Sequence, residues 1–227
     1  MIHVLDHGYV KHIESWGHGE IGLAEAGIIE AARQSTQGCF RGWDRDEKLL
    51  RFLYEHKHSS PFEFAGMVIE VQAPIMVFRE WHRHRTQSYN EMSGRYTELP
   101  NLYYVPSVER LMAGAQNQHN KQGSIVGFNA EEAVYRRKIF AETMHNSRIM
   151  YEQLLHLGVS RELARGVLPV FQYSRMRACA NLRNWLAFLT LRLHPDAQEE
   201  IRLFASAVAD VIKIEFPRTY GLFSESL

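Results

Sequence analysis

The spacing of apolar and polar positions changes several times along the chain. The opening IHVLDHGYVKHIESW has strand-like content, and the following IGLAEAGIIEAARQS, rich in Ala, Leu, Ile and Glu, reads as a helix. DRDEKLLRFLYEHKH begins at Asp and carries acidic residues early and His and Lys late, the charge order that suits the two ends of a helix dipole. A turn follows at Ser59, Ser60 and Pro61. Alternation then sets Val68, Glu70 and Gln72 on one face and Met67, Ile69, Val71 and Ala73 on the other, which predicts a strand. Pro74 fits the first position of a helix through IMVFREWHRHR. Asn90, Gly94 and Pro100 interrupt what comes next, so residues 86–101 read mostly as loop.

The second half has a longer period. From Glu131 to Leu155, apolar or small residues recur at helical spacing (Ile139 and Phe140, Thr143 and Met144, Ser147, Met150 and Tyr151, Leu154 and Leu155), predicting a long helix that Gly158 ends. Leu182, Leu186, Leu189 and Leu193 mark another, stopped by Pro195, and a last one runs through Ile201, Ala205, Val208 and Ile212. No repeat, low-complexity tract or linker interrupts residues 1–227, so the chain reads as one domain. The expected class is α+β, a mixed or antiparallel sheet flanked by long helices, with a helix-rich C-terminal half.

Composition narrows the function classes. Hydrophobic residues make up 45% and charged residues 23%, as in ordinary soluble globular proteins. No apolar run approaches the ~20 residues that span a bilayer, and the N-terminus lacks the basic start and apolar stretch of a signal peptide, so a cytoplasmic protein without a membrane partner is expected. Lys plus Arg (26) balances Asp plus Glu (26), which gives no whole-molecule field for a nucleic-acid polymer. Cys39 and Cys179 show no motif spacing. Cys39 falls in a Gly-flanked loop and Cys179 in an apparent helix, and both read as packing residues with reduced thiols.

Local clusters must then carry the chemistry. REWHRHR concentrates cationic and titratable side chains, and residues 161–192 hold six arginines: Arg161, Arg165, Arg175, Arg177, Arg183 and Arg192. Such density in a neutral protein suggests planar recognition of phosphate or carboxylate. In RHRTQSYNEMSGRY, Arg83, His84 and Arg85 close the predicted helix and a loop follows with Asn90, Glu91, Ser93, Gly94 and Arg95. A hydroxyl, a glycine amide and a guanidinium in succession make a phosphate cradle, and Glu91 can accept from a sugar hydroxyl or orient an Arg. Ser93 lacks an identifiable base partner, which favours phosphate binding over nucleophilic attack.

Blander readings compete. Arg79, Glu80, Arg83 and His84 could form an exposed ladder of helical pairs, each worth only ~0.2 to 0.5 kcal/mol. The pairs His56/His58 and His82/His84 suggest a metal-dependent hydrolase, but each encloses a cation and Arg79 and Arg85 flank the second, so no metal is expected. An RNA-binding module using Arg beside Tyr89, Tyr96, Tyr103 and Tyr104 is opposed by the zero net charge.

The order R-H-R, seven residues, then S, filled here from Arg83 to Ser93, resembles the signature motif of flavin-dependent thymidylate synthases. HKHSSPFEF, APIMVFREW, GVSRELARGVLP, NLRNWLAFLTLR and DAQEEI resemble the family's other blocks in the same order, so the resemblance covers nearly the whole chain. It implies methylation of dUMP to dTMP with 5,10-methylenetetrahydrofolate as carbon donor, NADPH-reduced FAD as hydride source, and no enzyme cysteine as nucleophile. It places FAD contacts at Ser60, Arg83, His84, Arg85, Glu91, Asn181, Leu182 and Arg183, with His58 and Glu63 near the flavin or its access path. Ala187 stands in that set where Asn is expected. It places dUMP contacts at Arg83, Glu91, Met92, Ser93, Gly94, Arg95, Arg165 and Arg192, with Glu80, Trp81 and His82 in the same set. Arg192 is implied to lie at the pyrimidine and favour ionised N3, the catalytic role. A homotetramer with shared active sites is also implied, letting Arg165 reach a neighbour's nucleotide.

Helical geometry adds support, since Asn181 and Arg192 are eleven residues apart, about three turns, and can share one stripe. Besides Ala187, two positions depart from the family pattern: Glu80 replaces an expected Gln, and Asp196 a His, with His194 two residues earlier. A carboxylate beside a dianionic phosphate needs neutralising, so Glu80 is expected to pair with Arg83 or His84 rather than touch dUMP.

Overall fold

The computed structural model describes residues 1–18, 24–36, 38–117 and 123–226. Strands β1 (Ile2–Val4) and β2 (Gly8–Trp16) form a hairpin, followed by helices α1 (Ala26–Arg33) and α2 (Trp43–Glu55) and a short 3-10 turn, Ser60–Glu63. Strand β3 (Gly66–Pro74) runs directly into α3 (Ile75–Trp81), and β4 (Ser88–Glu91) follows. Helix α4 (Val108–Met112), the small hairpin β5 (Ala115–Gln116) and β6 (Ser124–Ile125), the long α5 (Ala130–His156) and α6 (Arg161–Ala164) come next. The chain ends with β7 (Tyr173–Asn181), α7 (Leu182–Arg192), α8 (Glu199–Glu215) and α9 (Pro217–Glu225).

The main sheet has strand order β1-β2-β3-β7-β4, and all its pairings are antiparallel. The alternation in β3 settles which face is inside. Met67, Ile69, Val71 and Ala73 are fully buried beneath α3 and α7, with α8 covering the neighbouring β1 and β2, while Val68, Glu70 and Gln72 are half-buried on the open face. Among the described residues no helix is long and apolar enough to cross a membrane.

Several sequence expectations change. Cys179 lies in a strand, not a helix: β7 alternates Arg175 and Arg177 outward with Met176, Ala178 and Ala180 inward, and Cys179 pairs with Val68 and Ser88. The helix predicted through Arg85 stops at Trp81, because Phe78 and Trp81 are the last side chains it can bury. Pro74 is the residue before that helix and the last of β3. The region read mostly as loop holds β4, which completes the sheet edge beside β7. The apolar period of the last predicted helix ends at α8, and Pro217 restarts the chain as α9.

Helix ends follow local chemistry. Asn129 and Glu132 form a reciprocal capping box at the start of α5. At its end Gly158 adopts φ 81°, its N–H donates to Leu155 and that of Val159 to Leu154, the Schellman arrangement that terminates a helix. Glycine is obligatory at Gly66 for another reason: an added Cβ would lie 2.2 Å from the Trp16 ring.

Candidate active site

The two strand-to-helix units, β3–α3 and β7–α7, place the C-terminal ends of α3 and α7 side by side. Trp81 stacks on Phe188 with centroids 4.6 Å apart and meets Trp185 edge-on at 6.5 Å. This fully buried aromatic wedge holds Glu80 and Arg192 together above it. Arg192 Nη1 donates to Glu80 Oε2 at 3.2 Å, Nη2 to the Glu80 carbonyl at 3.0 Å, and Nε to His84 Nε2 at 2.9 Å. The expected Glu80–Arg83 or Glu80–His84 pair is therefore replaced by a Glu80–Arg192 pair. Once the helix ends at Trp81, Arg83 and His84 leave its surface, and the guanidinium arrives from α7 instead.

Electrostatics follow from this crowding. Burial and the Arg192 charge push the His84 pKa down to about 4, so its imidazole is neutral near pH 7. With Nε2 accepting from Arg192, the proton belongs on Nδ1. Burial raises the Glu80 pKa; Arg192 pulls it back and Glu200 on α8 adds to the rise. The turn carrying His84 is pinned by Tyr89, whose hydroxyl donates to the His84 carbonyl at 2.7 Å with the Trp81 carbonyl at 3.2 Å, and by Asn184, which donates to the Thr86 carbonyl.

A second group lies at the sheet edge. Met92 N–H extends the β4–β7 ladder to the Arg175 carbonyl, and the chain then turns through Ser93, Gly94 and Arg95. Arg95 N–H donates to Ser93 Oγ at 3.3 Å. Gly94 is buried against the Arg165 side chain, where an added Cβ would sit 3.3 Å from Cδ. Arg165 thus meets the cradle of its own chain. Arg95 faces Glu162 at 3.6 Å, while Arg83, Arg85 and Arg165 form no ion pair among the described residues. Beside this turn a cleft of 510 Å³ is lined by Glu91, Met92, Ser93, Asn90, Arg175 and Arg177.

The third group surrounds the start of α7. Asn181 caps the helix by accepting from Asn184 N–H at 3.0 Å, and Arg183 pairs with Glu63. Next to them a 540 Å³ cleft has an apolar floor including Phe62, Leu186 and Leu222, with Arg183, Lys57 and Arg51 among its polar lining and Ala187 on its wall. His58 and Ser60 are exposed at the neighbouring turn, and His58 lies edge-on to Phe52 at 5.6 Å. Arg183 and Arg192 are about 14 Å apart along α7 at 1.5 Å per residue. Asn184, which donates its N–H to the Asn181 cap and its side chain to Thr86, ties the start of α7 to the His84 turn, whereas among the described residues no side-chain hydrogen bond joins the Ser93–Arg95 turn to either of the other groups.

Some expected contacts serve as support. Trp81 and Leu182 are fully buried: Trp81 donates to Gln87 at 3.1 Å, and the Leu182 amide bonds Ala65, so neither side chain offers a ligand surface. His82 is exposed, its Nε2 3.2 Å from Met176 Sδ. Sequence reasoning placed Arg175 and Arg177 in an Arg-rich stretch without a site. Their alternation with Met176 and Ala178 was the signal that would have set both on one open strand face.

Comparison with known proteins gives this geometry a family. The profile of the family described as "Thymidylate synthase complementing protein" matches residues 22–218. The chain belongs to that family. This member is 38% identical over 226 residues to a flavin-dependent thymidylate synthase of Thermus thermophilus, covering all of this chain and 79% of the relative. It is 35% identical over 225 residues to one of Wolbachia pipientis wMel, covering 98% and 75%. A solved structure of the UMP/dUMP methylase PolB from Streptomyces cacaoi bound with 5-Br dUMP superposes with TM-score 0.83 at 30% identity, covering 99% and 97% of the two chains. A second PolB structure, bound with 5-Br UMP, superposes at 0.81.

Proposed function

We propose that this family member is a methyltransferase that converts dUMP to dTMP, taking the carbon from 5,10-methylenetetrahydrofolate and electrons from NADPH through FAD. The observation that carries the reading is the folded form of the Arg83–Ser93 motif. Its Ser93–Gly94–Arg95 turn packs on Arg165, while its His84 meets Arg192. Ser93, Arg95 and Arg165 supply donors for a phosphate, and Glu91 beside them supplies an acceptor for the sugar. Arg192, held at two points by Glu80, supplies positive charge for an ionised pyrimidine N3.

The α7 cleft offers FAD an apolar floor for a flat ring system and, on its rim, Lys57 and Arg183 for phosphates, while Arg51 there is paired with Glu55 and Glu225; Glu63 pairs with Arg183, and His58, Ser60 and Asn181 stand on the adjoining turn and helix cap. When bound, FAD supplies a hydride for the pyrimidine, work that a cysteine thiolate does in other thymidylate synthases. The state of the two cysteines supports that reading. Cys39 is exposed in a loop outside all three groups, and burial raises the Cys179 thiol pKa, which keeps it protonated near pH 7. The separation of the groups supports a homotetramer in which neighbouring subunits complete each site.

UMP is the second candidate substrate, because PolB is a UMP/dUMP methylase. The purified protein should show a flavin absorption spectrum that NADPH bleaches, and should form dTMP from dUMP and methylenetetrahydrofolate. A protein that takes up no FAD at micromolar concentration, or that methylates UMP but not dUMP, refutes the assignment.

A further inference from the structure

Arg192 has five N–H donors, and its contacts among the described residues account for three of them. One N–H remains on each terminal nitrogen, a fork of fixed shape. Both terminal nitrogens are gripped by one residue, Glu80, through its carboxylate and its own carbonyl. We propose that Glu80 is the positioning residue of this site, aiming the free fork of Arg192 at the pyrimidine while its carboxylate offsets part of the charge that Arg192 presents there. This deepens the reading above and rests on Arg192 lying at the pyrimidine.

The surroundings of Glu80 favour such a role. Arg192 faces it from α7, His84 from the following turn and Glu200 from α8; Glu200 is itself engaged by Arg110 at 2.8 Å, by Gln198 at 2.7 Å and by Tyr104 at 3.1 Å. Neutral His84 adds no charge. The balance therefore lies between one arginine and two carboxylates, of which Glu200 already has Arg110. An ionised Glu80 weakens the stabilisation of an anionic ring, and a neutral amide in its place keeps the hydrogen bond to Nη1 while restoring the full charge of Arg192.

Glu80→Gln and Glu80→Ala separate position from charge. In Glu80→Ala the fork loses its carboxylate grip, so kcat should fall at least tenfold on the pH plateau, and Glu80→Gln should recover most of that loss. In Glu80→Gln the acid limb of the kcat–pH profile should move down by about one unit, because the bound pyrimidine ionises more easily beside an uncompensated arginine. Calorimetric dUMP affinity should stay within tenfold of the native protein for Glu80→Gln. An unmoved acid limb, or equal losses in the two variants, overturns the proposal. A Glu80→Gln defect confined to dUMP or to UMP overturns it too, since Glu80 would then read the sugar directly. If Glu80→Ala does not fold, the acid limb of Glu80→Gln alone decides. A native protein inactive on dUMP would instead refute the function proposed above.

Discussion

His84 shows how one residue can carry both stability and chemistry. It is held neutral, with a folded pKa of about 4 against an ordinary 6.5. Between those values the unfolded chain binds a proton that the folded chain refuses, so stability is full above about pH 6.5 and falls as pH drops toward 4. His84→Gln, which keeps an acceptor for Arg192, should remove that part of the slope in urea unfolding measured across this window. At the same scale, Arg192→Ala should lower turnover over a hundredfold, since losing a donor that stabilises transition-state charge commonly costs ~3 kcal/mol. Cys39→Ala combined with Cys179→Ala should keep substantial turnover; a cysteine-free protein that binds FAD yet is inactive would sink the hydride route. The residues of the motif were legible because their order is fixed along the chain. The partner of Glu80 was not: helical spacing sees only neighbours on one helix, and Arg192 is 112 positions away.

Elements were legible where one face is apolar without exception. In β3 every inward residue is apolar and the strand is readable, and the leucines of α7 mark a helix in the same way. β7 was misread because its inward positions include small residues, Ser174, Ala178 and Ala180, whose apolar signal is weak beside the outward arginines. The junction of β7 and α7 rests on Asn181, the last strand residue and also the helix cap. Asn181→Ala should therefore destabilise the FAD-free protein by about 1 kcal/mol, and Asn181→Asp, which retains the cap, by much less. Urea unfolding of both variants checks this. Equal losses would mean that the side chain matters for something other than capping.

At the scale of the whole molecule, α5 is the element a single chain does not fully use. Its 27 residues bury only Ala133, Met144 and Tyr151. At 3.6 residues per turn these fall on one stripe, and Tyr135, Ile139 and Met150 fall on another about 130° around the helix. Those three are 65%, 46% and 50% exposed, an apolar surface with no counterpart among the described residues of the chain. The sequence pattern showed a long helix but not two apolar stripes, because periodicity counts apolar positions without saying which the chain itself covers. On the proposed homotetramer the second stripe meets another subunit. Ile139→Glu with Met150→Glu should then leave the chain folded, since surface changes are usually within ~0.5 kcal/mol, yet drive the tetramer toward smaller species. Met144→Ala on the buried stripe should instead cost about 2 to 5 kcal/mol of stability. Sedimentation velocity of the double variant decides: an unchanged tetramer places the subunit contact elsewhere, and a native protein that sediments as a monomer removes the shared-site arrangement altogether. Loss of FAD together with loss of assembly would tie the interface to the active site, because only sites completed by a neighbour fail when the neighbour leaves.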